Sequence, residues 1–182
     1  IATPYDRFRH RIIFPITDLR GRVIAFGGRA LDPDQPAKYL NSPETPLFHK
    51  GATLFNAANA RKAAHERGEV IVAEGYMDVI ALAAAGFPQA VAPLGTALTV
   101  QQTKLLWRMA DEPVLCFDGD EAGGRAAYRA AEGALALLSP GKSLRFAYLP
   151  EGLDPDDLIR RDGADAMRAV LEQAKPLIDV IW

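Results

Sequence analysis

The feature that most constrains the fold is a regular alternation of short apolar segments with longer helical ones, which begins near residue 54. The apolar segments read EVIVAEG, QAVAPL, PVLCFDGD and SLRFAYLP. Between them lie runs such as YMDVIALAAAG and VQQTKLLWRMA, which favour helices. Strands that alternate with helices of this length predict a parallel sheet covered on both faces. We therefore expect an α/β fold with a doubly wound parallel sheet.

Acidic residues follow three of the four predicted strands. Glu74 ends the first strand, Asp118 and Asp120 end the third, and Asp154 and Asp156 follow the fourth. In doubly wound sheets, ligands bind beyond the carboxyl ends of the strands, where these acids would meet. Because neighbouring carboxylates repel one another, their convergence calls for a compensating charge. A hard divalent cation such as Mg²⁺, bound through oxygen, fits this role better than zinc.

Each aspartate also has a purely structural explanation. Asp154, followed by proline, is typical of a helix start, and either Asp120 or Glu121 could cap the next helix. Asp78 falls in a first helical turn, where a carboxylate is favourable. Glu74 lacks such an explanation, because it stands between an apolar strand and a glycine.

The composition excludes several other classes of protein. The 182 residues are 49% hydrophobic and 24% charged, which favours a packed globular core over disorder. One cysteine excludes an intrachain disulfide and, with three scattered histidines, argues against a structural zinc site. Cys116 lies inside an apolar run and is expected in the core. No apolar run approaches the ~20 residues that cross a bilayer, so we expect a cytoplasmic protein with no membrane partner.

The N-terminal part of the chain differs in both pattern and charge. Residues 9–30 predict a β-hairpin around the turn signal LRGR, and residues 31–50, with four prolines, predict an ordered loop or linker. The first 50 residues carry eight Lys/Arg and five acids, whereas the rest carry 13 and 18. This asymmetry fits a phosphate-rich ligand held between a cationic groove and metal-loaded carboxylates. A solvated surface explains the charge alone equally well.

Several stretches resemble the bacterial DnaG-type primases and their TOPRIM domain. The TOPRIM part is represented by VAEGYMDVIAL, APLGT, CFDGDEAGGRAA and LDPDDLIR, and the preceding basic subdomain by RIIFPITDLRGRVIAFGGR and KYLNSPETPLFHKG. The resemblance implies a basic subdomain with a β-hairpin, a loop and a helix over residues 1–65. A TOPRIM-type doubly wound sheet would occupy residues 66–163, and a helical subdomain would begin over residues 164–182.

The resemblance also implies roles for individual residues. It implies that this part of the protein binds Mg²⁺ or Mn²⁺ and no zinc. The metal ligands would be Glu74, Asp118, Asp120, Asp154 and Asp156, of which the first three would be catalytic. Asp78 matches the acid of EGYMD, where a ligand role and a helix-start role both stay open. The groove for template and nucleotide would contain Arg11, Arg29, Lys38, Asn41, Ser42 and Lys50, for which surface solvation and turn chemistry are the structural alternative.

The activity implied by the resemblance is that of a DNA primase. Such an enzyme synthesises short RNA primers from NTPs on a single-stranded DNA template by metal-dependent nucleotidyl transfer. A zinc-binding module would precede Ile1, and a domain that binds the replicative helicase would follow Trp182. Two alternatives stay open, namely a TOPRIM-containing topoisomerase or nuclease fragment, and a metal- and nucleic-acid-binding module that is inactive in isolation.

Overall fold

The computed structural model describes residues 5–95 and 97–182, which form two sheets and their flanking helices. The strands are β1 (Arg11–Thr17), β2 (Val23–Ala30), β3 (Tyr39–Asn41), β4 (Ile71–Val72), β5 (Ala90–Val91), β6 (Val114–Phe117), β7 (Arg145–Tyr148) and β8 (Lys175–Pro176). The helices are α1 (Ala57–Arg67), α2 (Tyr76–Ala84), α3 (Val100–Leu106), α4 (Glu121–Leu135), α5 (Pro155–Glu172) and α6 (Leu177–Ile181), with a 3₁₀ helix over Lys50–Ala52.

The smaller sheet is antiparallel, in the order β1-β2-β3. Strands β1 and β2 form the hairpin predicted over residues 9–30. Its turn is held by the carboxylate of Asp18, which accepts hydrogen bonds from the backbone N–H groups of Arg20 and Arg22 at 2.9 and 3.0 Å. The prediction of a loop throughout residues 31–50 is wrong at β3, which pairs with β2. Three strand residues among prolines are too few to show a period of two.

The larger sheet has the order β5-β4-β6-β7-β8. Strands β5, β4, β6 and β7 run parallel, and the short edge strand β8 pairs antiparallel with β7. Side chains of one face, including Val72 and Leu115, pack against α1, α3, α4 and α6. Side chains of the other face, including Ile71 and the buried Cys116, pack against α2 and α5. The predicted doubly wound α/β fold is confirmed, and Cys116 is a core residue.

The order of the strands reverses beside β4. The chain passes from β4 to β5 through α2 on one face of the sheet and from β5 to β6 through α3 on the other. Helices that leave β4 and β6 on opposite faces open a crevice at the carboxyl ends of these two strands. Glu74 and Asp118 follow these two strand ends.

The C-terminal part of the described chain packs onto the larger sheet. A non-helical backbone with positive φ at Gly163 (φ 84°, ψ 177°) divides α5 into two helical segments. Beyond this break, Met167 and Leu171 lie in the same apolar cluster as Val79 and Leu82 of α2. The boundaries 1–65, 66–163 and 164–182 stay predictions. Within residues 5–95 and 97–182, no helix is both long and apolar enough to cross a membrane.

A third apolar cluster joins the two sheets. It contains Phe14, Ile16 and Ala25 of the smaller sheet together with Phe48, Tyr76 and Leu94. Tyr76 is the first residue of α2, so this cluster lies directly beside the chain segment that carries Glu74. The smaller sheet is therefore packed against the edge at which the acidic residues converge.

Candidate functional site

Glu74 lies at the edge of the larger sheet, two residues beyond β4. Its side chain is solvent-exposed, but the pKa of its carboxyl is raised by partial loss of hydration and by the negative charges of Asp118 and Asp120. The nearby backbone amide of Asp118 offsets part of this rise. The acids that follow β4 and β6 are therefore neighbours in space, as the strand pattern predicts.

Asp118 and Asp120 lie in a tight turn between β6 and α4. A Cβ atom on Gly119 would stand 2.7 Å from the carbonyl carbon of Pro150 and 2.8 Å from the amide nitrogen of Glu151. This close packing brings the turn against the loop that follows β7. As a result, the pKa of Asp118 is raised by desolvation and then by the charges of Asp154, Asp120 and Asp157.

Two of the acids act as helix caps while retaining a second oxygen. Asp120 accepts a hydrogen bond from the backbone N–H of Gly123 at 2.7 Å, and Asp154 accepts one from Asp157 at 2.7 Å. Each of these bonds engages one carboxylate oxygen. The structural explanation of these residues is thus correct, but it leaves an oxygen of each carboxylate for a ligand.

Asp156 and Asp78 each form a further contact within the protein. Asp156 forms an ion pair with Arg160 one turn along α5. The charge of its neighbour Asp157 is one of those that raise the pKa of Asp118. Asp78 is buried, and its Oδ2 atom accepts a hydrogen bond from the backbone N–H of Gly75 at 3.0 Å. Burial, followed by the charge of Asp154, raises the pKa of Asp78 to about 7. Asp78 therefore belongs to the acidic cluster as well as to the start of α2.

The donor set of this cluster fits a hard divalent cation. In the described parts of the chain, no lysine or arginine forms an ion pair with Glu74, Asp118, Asp120 or Asp154. Those same parts also contain no group of three or more Asp, Glu, His or Cys side chains already gathered closely enough to hold an ion. Mg²⁺ commonly uses one or two carboxylates and completes its shell with water and phosphate oxygens. The site therefore offers suitable ligands without a preassembled cage.

Two of the predicted basic residues, Arg29 and Lys38, lie beside Tyr39 at one end of the smaller sheet. Arg29 is paired in register with Tyr39, and Lys38 precedes Tyr39. Arg11 is paired with Ala30, so its side chain lies on the opposite face from that of Arg29, where its guanidinium donates hydrogen bonds to the carbonyls of Gly28 and Lys38 at 3.4 Å each. The Lys38 ammonium lies 6.0 Å from the centre of the Tyr39 ring. Desolvation raises the pKa of Tyr39, with smaller contributions from Asp78, Asp154 and Asp156, while Arg29 lowers it. This end of the sheet therefore faces the acidic cluster.

Tyr39 is a residue that sequence reasoning missed. It is 39% exposed and stands between the basic residues and the acids. A single aromatic residue in a proline-rich segment carries little signal of its own. Its place beside Lys38 in the stretch KYLNSPET was the one available indication.

The remaining predicted groove residues form contacts within the protein. The side chain of Asn41 bonds to Tyr76 and to the backbone of Leu94, and the hydroxyl of Ser42 accepts a hydrogen bond from the Phe26 N–H at 3.0 Å. Lys50 lies apart from the basic sheet end, in the 3₁₀ helix packed against α3. The structure therefore brings together Arg29 and Lys38, whereas Arg11, Asn41, Ser42 and Lys50 are placed elsewhere or already bonded.

A cavity of about 390 Å³ opens beside Glu74. Its walls are mainly apolar and include Val72, Leu115 and Phe117, and Arg129 of α4 also lines it. The cavity lies at the crevice where the strand order reverses, so a ligand held by the acidic cluster would have room on this side.

Family models match most of this chain. A model described as the N-terminal domain of the DNA primase catalytic core matches residues 2–61, and a Toprim domain model matches residues 68–148. The DNA primase of Pseudomonas aeruginosa is 55% identical over 179 residues. This match covers 98% of the present chain and 27% of that protein, so the chain spans about a quarter of the relative's length.

Solved structures of primases are similar in fold. The Escherichia coli primase catalytic core gives a TM-score of 0.91 at 51% identity, with 97% of this chain and 56% of that chain covered. A structure of the DnaG primase catalytic domain bound to single-stranded DNA gives the same TM-score, identity and coverage. The sequence resemblance and the fold comparison thus agree.

Proposed function

The chain belongs to the DnaG-type DNA primase family, and from this premise we propose that it carries the nucleotidyl-transfer centre for synthesis of RNA primers on single-stranded DNA. The observation that supports this proposal is the convergence of Glu74, Asp118, Asp120 and Asp154 at the ends of β4, β6 and β7, where no lysine or arginine of the described residues forms an ion pair with them. Desolvation and the neighbouring negative charges raise the pKa of Glu74 and of Asp118. A basic sheet end lies opposite them.

We propose Glu74, Asp118, Asp120 and Asp154 as the oxygen ligands of Mg²⁺ or Mn²⁺. Asp156 would join them through the carboxylate oxygen that Arg160 does not contact, and Asp78 would support them from the start of α2. A bound divalent ion would polarise the phosphoryl group and neutralise negative charge on the reacting oxygens. The carboxylates themselves would orient the reactants and place negative charge where the cation is needed.

The basic residues would hold the nucleic acid and the nucleotide during the reaction. In primer synthesis, the 3′-hydroxyl of a ribonucleotide attacks the α-phosphorus of an incoming NTP, and pyrophosphate leaves. Arg29 and Lys38 are placed to bind phosphates of the template or of the NTP, because they stand beside Tyr39 on the sheet end that faces the acids. A groove role for Arg11 stays a prediction, since its guanidinium is bonded to two backbone carbonyls of the same sheet. Phosphate contacts of this kind are largely independent of sequence and weaken with salt.

A second candidate function is metal and nucleic-acid binding without catalysis by this chain alone. It is favoured by the lack of a preassembled ion cage in residues 5–95 and 97–182. The topoisomerase and nuclease alternatives are not favoured, because the similar proteins reported above are DNA primases. An interaction with a replicative helicase, a cytoplasmic location and the lack of zinc stay predictions.

The metal assignment is tested by calorimetric titration of Mn²⁺ into the chain. We expect binding in the parent and its loss in the Asp118→Asn/Asp120→Asn double variant, in which the asparagine at 120 keeps the helix cap. The matched control is Glu132→Gln/Asp165→Asn, which removes two exposed charges far along α4 and α5. Unchanged binding in the folded first variant would reject the site. Primer synthesis by a longer protein that contains this chain would then test the activity.

A further inference from the structure

We propose that Asn41 and Tyr76 form a positioning joint that holds the basic sheet end at a fixed place relative to the acidic cluster. The proposal rests on the proposed function, because it assigns the joint a role in nucleotidyl transfer. It replaces the expected nucleotide-binding role of Asn41 with one exerted through other residues.

The side chain of Asn41 bridges two loops at the carboxyl edge of the larger sheet. Its Oδ1 atom accepts a hydrogen bond from the Tyr76 hydroxyl at 2.6 Å, and its Nδ2 atom donates one to the Leu94 carbonyl at 3.1 Å. Tyr76 follows β4, and Leu94 follows β5. One amide group on β3 is therefore bonded to the segments that leave two neighbouring strands.

Packing around Tyr76 leaves little freedom to the joint. The ring is 6% exposed and stacks on Phe14 with a centroid distance of 4.9 Å and an interplanar angle of 5°. Phe55 meets it edge-on at 4.7 Å. A Cβ atom on Gly27 of β2 would stand 2.5 Å from the Tyr76 hydroxyl oxygen, so this close approach requires glycine. The hydroxyl is thus held between β2 and β3.

The joint lies between the two halves of the candidate site. Tyr76 comes two residues after Glu74 and two before Asp78. On β3, Asn41 and Tyr39 are two residues apart and therefore point to the same face of the sheet. The rings of Tyr39 and Tyr76 are 6.1 Å apart. Movement at the joint would consequently shift the basic sheet end relative to the carboxylates.

A positioning role and a purely structural role predict different behaviour of a double variant. Tyr76→Phe and Asn41→Leu each leave a polar group at the joint without its partner, so both lower the melting temperature. In the double variant the Tyr76–Asn41 pair is replaced by two apolar side chains, and much of that stability should return. The orientation given by the hydrogen bonds would still be absent.

The test measures primer synthesis in a full-length protein that contains this chain. We expect kcat to fall about 10- to 100-fold in both single variants and to stay low in the double variant, because misplacement of reacting groups by about 1 Å has such an effect. The KM for NTP and the affinity for single-stranded DNA should change less than about twofold. Tyr128→Phe, on the exposed face of α4, is the matched control and should retain parental rates. Recovery of kcat together with the melting temperature in the double variant would overturn the proposal.

A distance measurement separates this proposal from the proposed function. Cys116 is buried, so spin labels can be placed selectively on cysteines introduced at the exposed positions Arg20 and Glu132. We expect the distribution of distances between the labels to broaden in the double variant. If the parent synthesises no primer, the proposed function fails. The distribution of distances between the labels then tests by itself whether Asn41 and Tyr76 hold the smaller sheet in place. An unchanged distribution would overturn the joint.

Discussion

The buried carboxyl of Asp78 should make the stability of the metal-free protein fall as the pH rises. The pKa of Asp78 in the folded protein is about 7, against 3.8 in the absence of the fold. Between these values the folded chain holds a proton that the unfolded chain releases. The contribution of Asp78 to stability is therefore complete below pH 3.8 and is lost as the pH rises through about 7.

The size of this effect follows from the two pKa values. Each pKa unit corresponds to about 1.4 kcal/mol, so ionisation of Asp78 in the folded state costs up to about 4 kcal/mol. Part of the contribution of Asp78 to the free energy of unfolding has already been lost at pH 5, so about 3 kcal/mol remains to be lost between pH 5 and pH 8. Asp78→Asn removes the charge but retains an oxygen that can accept the hydrogen bond from the Gly75 N–H.

Urea unfolding in the presence of a chelator measures the effect. Between pH 5 and pH 8, the free energy of unfolding of the parent should fall by about 3 kcal/mol relative to that of Asp78→Asn. Asp165→Asn, a fully exposed acid on α5, should follow the parent at both pH values. Parallel pH profiles of the parent and Asp78→Asn would show that the carboxyl is not desolvated as the structure requires.

Three further outcomes are expected. Gly119→Ala should lower the free energy of unfolding in urea by about 1–3 kcal/mol, because its Cβ atom would meet backbone atoms of the loop beyond β7. Gly124→Ala, whose Cβ atom would meet no atom within 4 Å, should be neutral or stabilising. Equal effects of the two substitutions would contradict the packing of Gly119. Gln102→Leu should cost about 1–3 kcal/mol by the same measurement, since it removes side-chain bonds to the carbonyls of Lys50 and Thr53; an unchanged midpoint would contradict this. Lys38→Ala and Arg29→Ala should each lower the affinity for single-stranded DNA in a fluorescence titration and reduce the slope of log K against log salt concentration by about 0.7. Lys62→Ala on α1 is the control and should bind like the parent. Parental binding of the first two variants at low salt would reject the proposed groove.

The parts of the fold that follow from sequence are those with a repeated local pattern. The parallel strands of the larger sheet, the hairpin and the capping of α4 and α5 each depend on a few neighbouring residues, so their signals survive in the sequence. Strands β3 and β8 have three and two residues and include or adjoin prolines. They form because a partner strand is already in place, and no local pattern encodes that.

The candidate site was predictable in its acids but not in the contacts of its polar groups. Glu74 and Asp118 were placed together because parallel strands end at a common edge. The pairing of Asp156 with Arg160 could have been inferred from their spacing of four residues on a helix. By contrast, the contacts of Asn41 with Tyr76 and Leu94 join residues 35 and 53 positions away, and only the folded chain brings them together.

The helix caps formed by Asp120 and Asp154 have a consequence for how the proposed metal site could be lost in evolution. Starting a helix takes a single acceptor oxygen, which an asparagine side chain also supplies. Under the proposed metal assignment, exchanging one carboxylate oxygen for an NH₂ group at either position would remove a negatively charged ligand while the helix cap stays in place. A relative that lost metal binding in this way could keep the same fold.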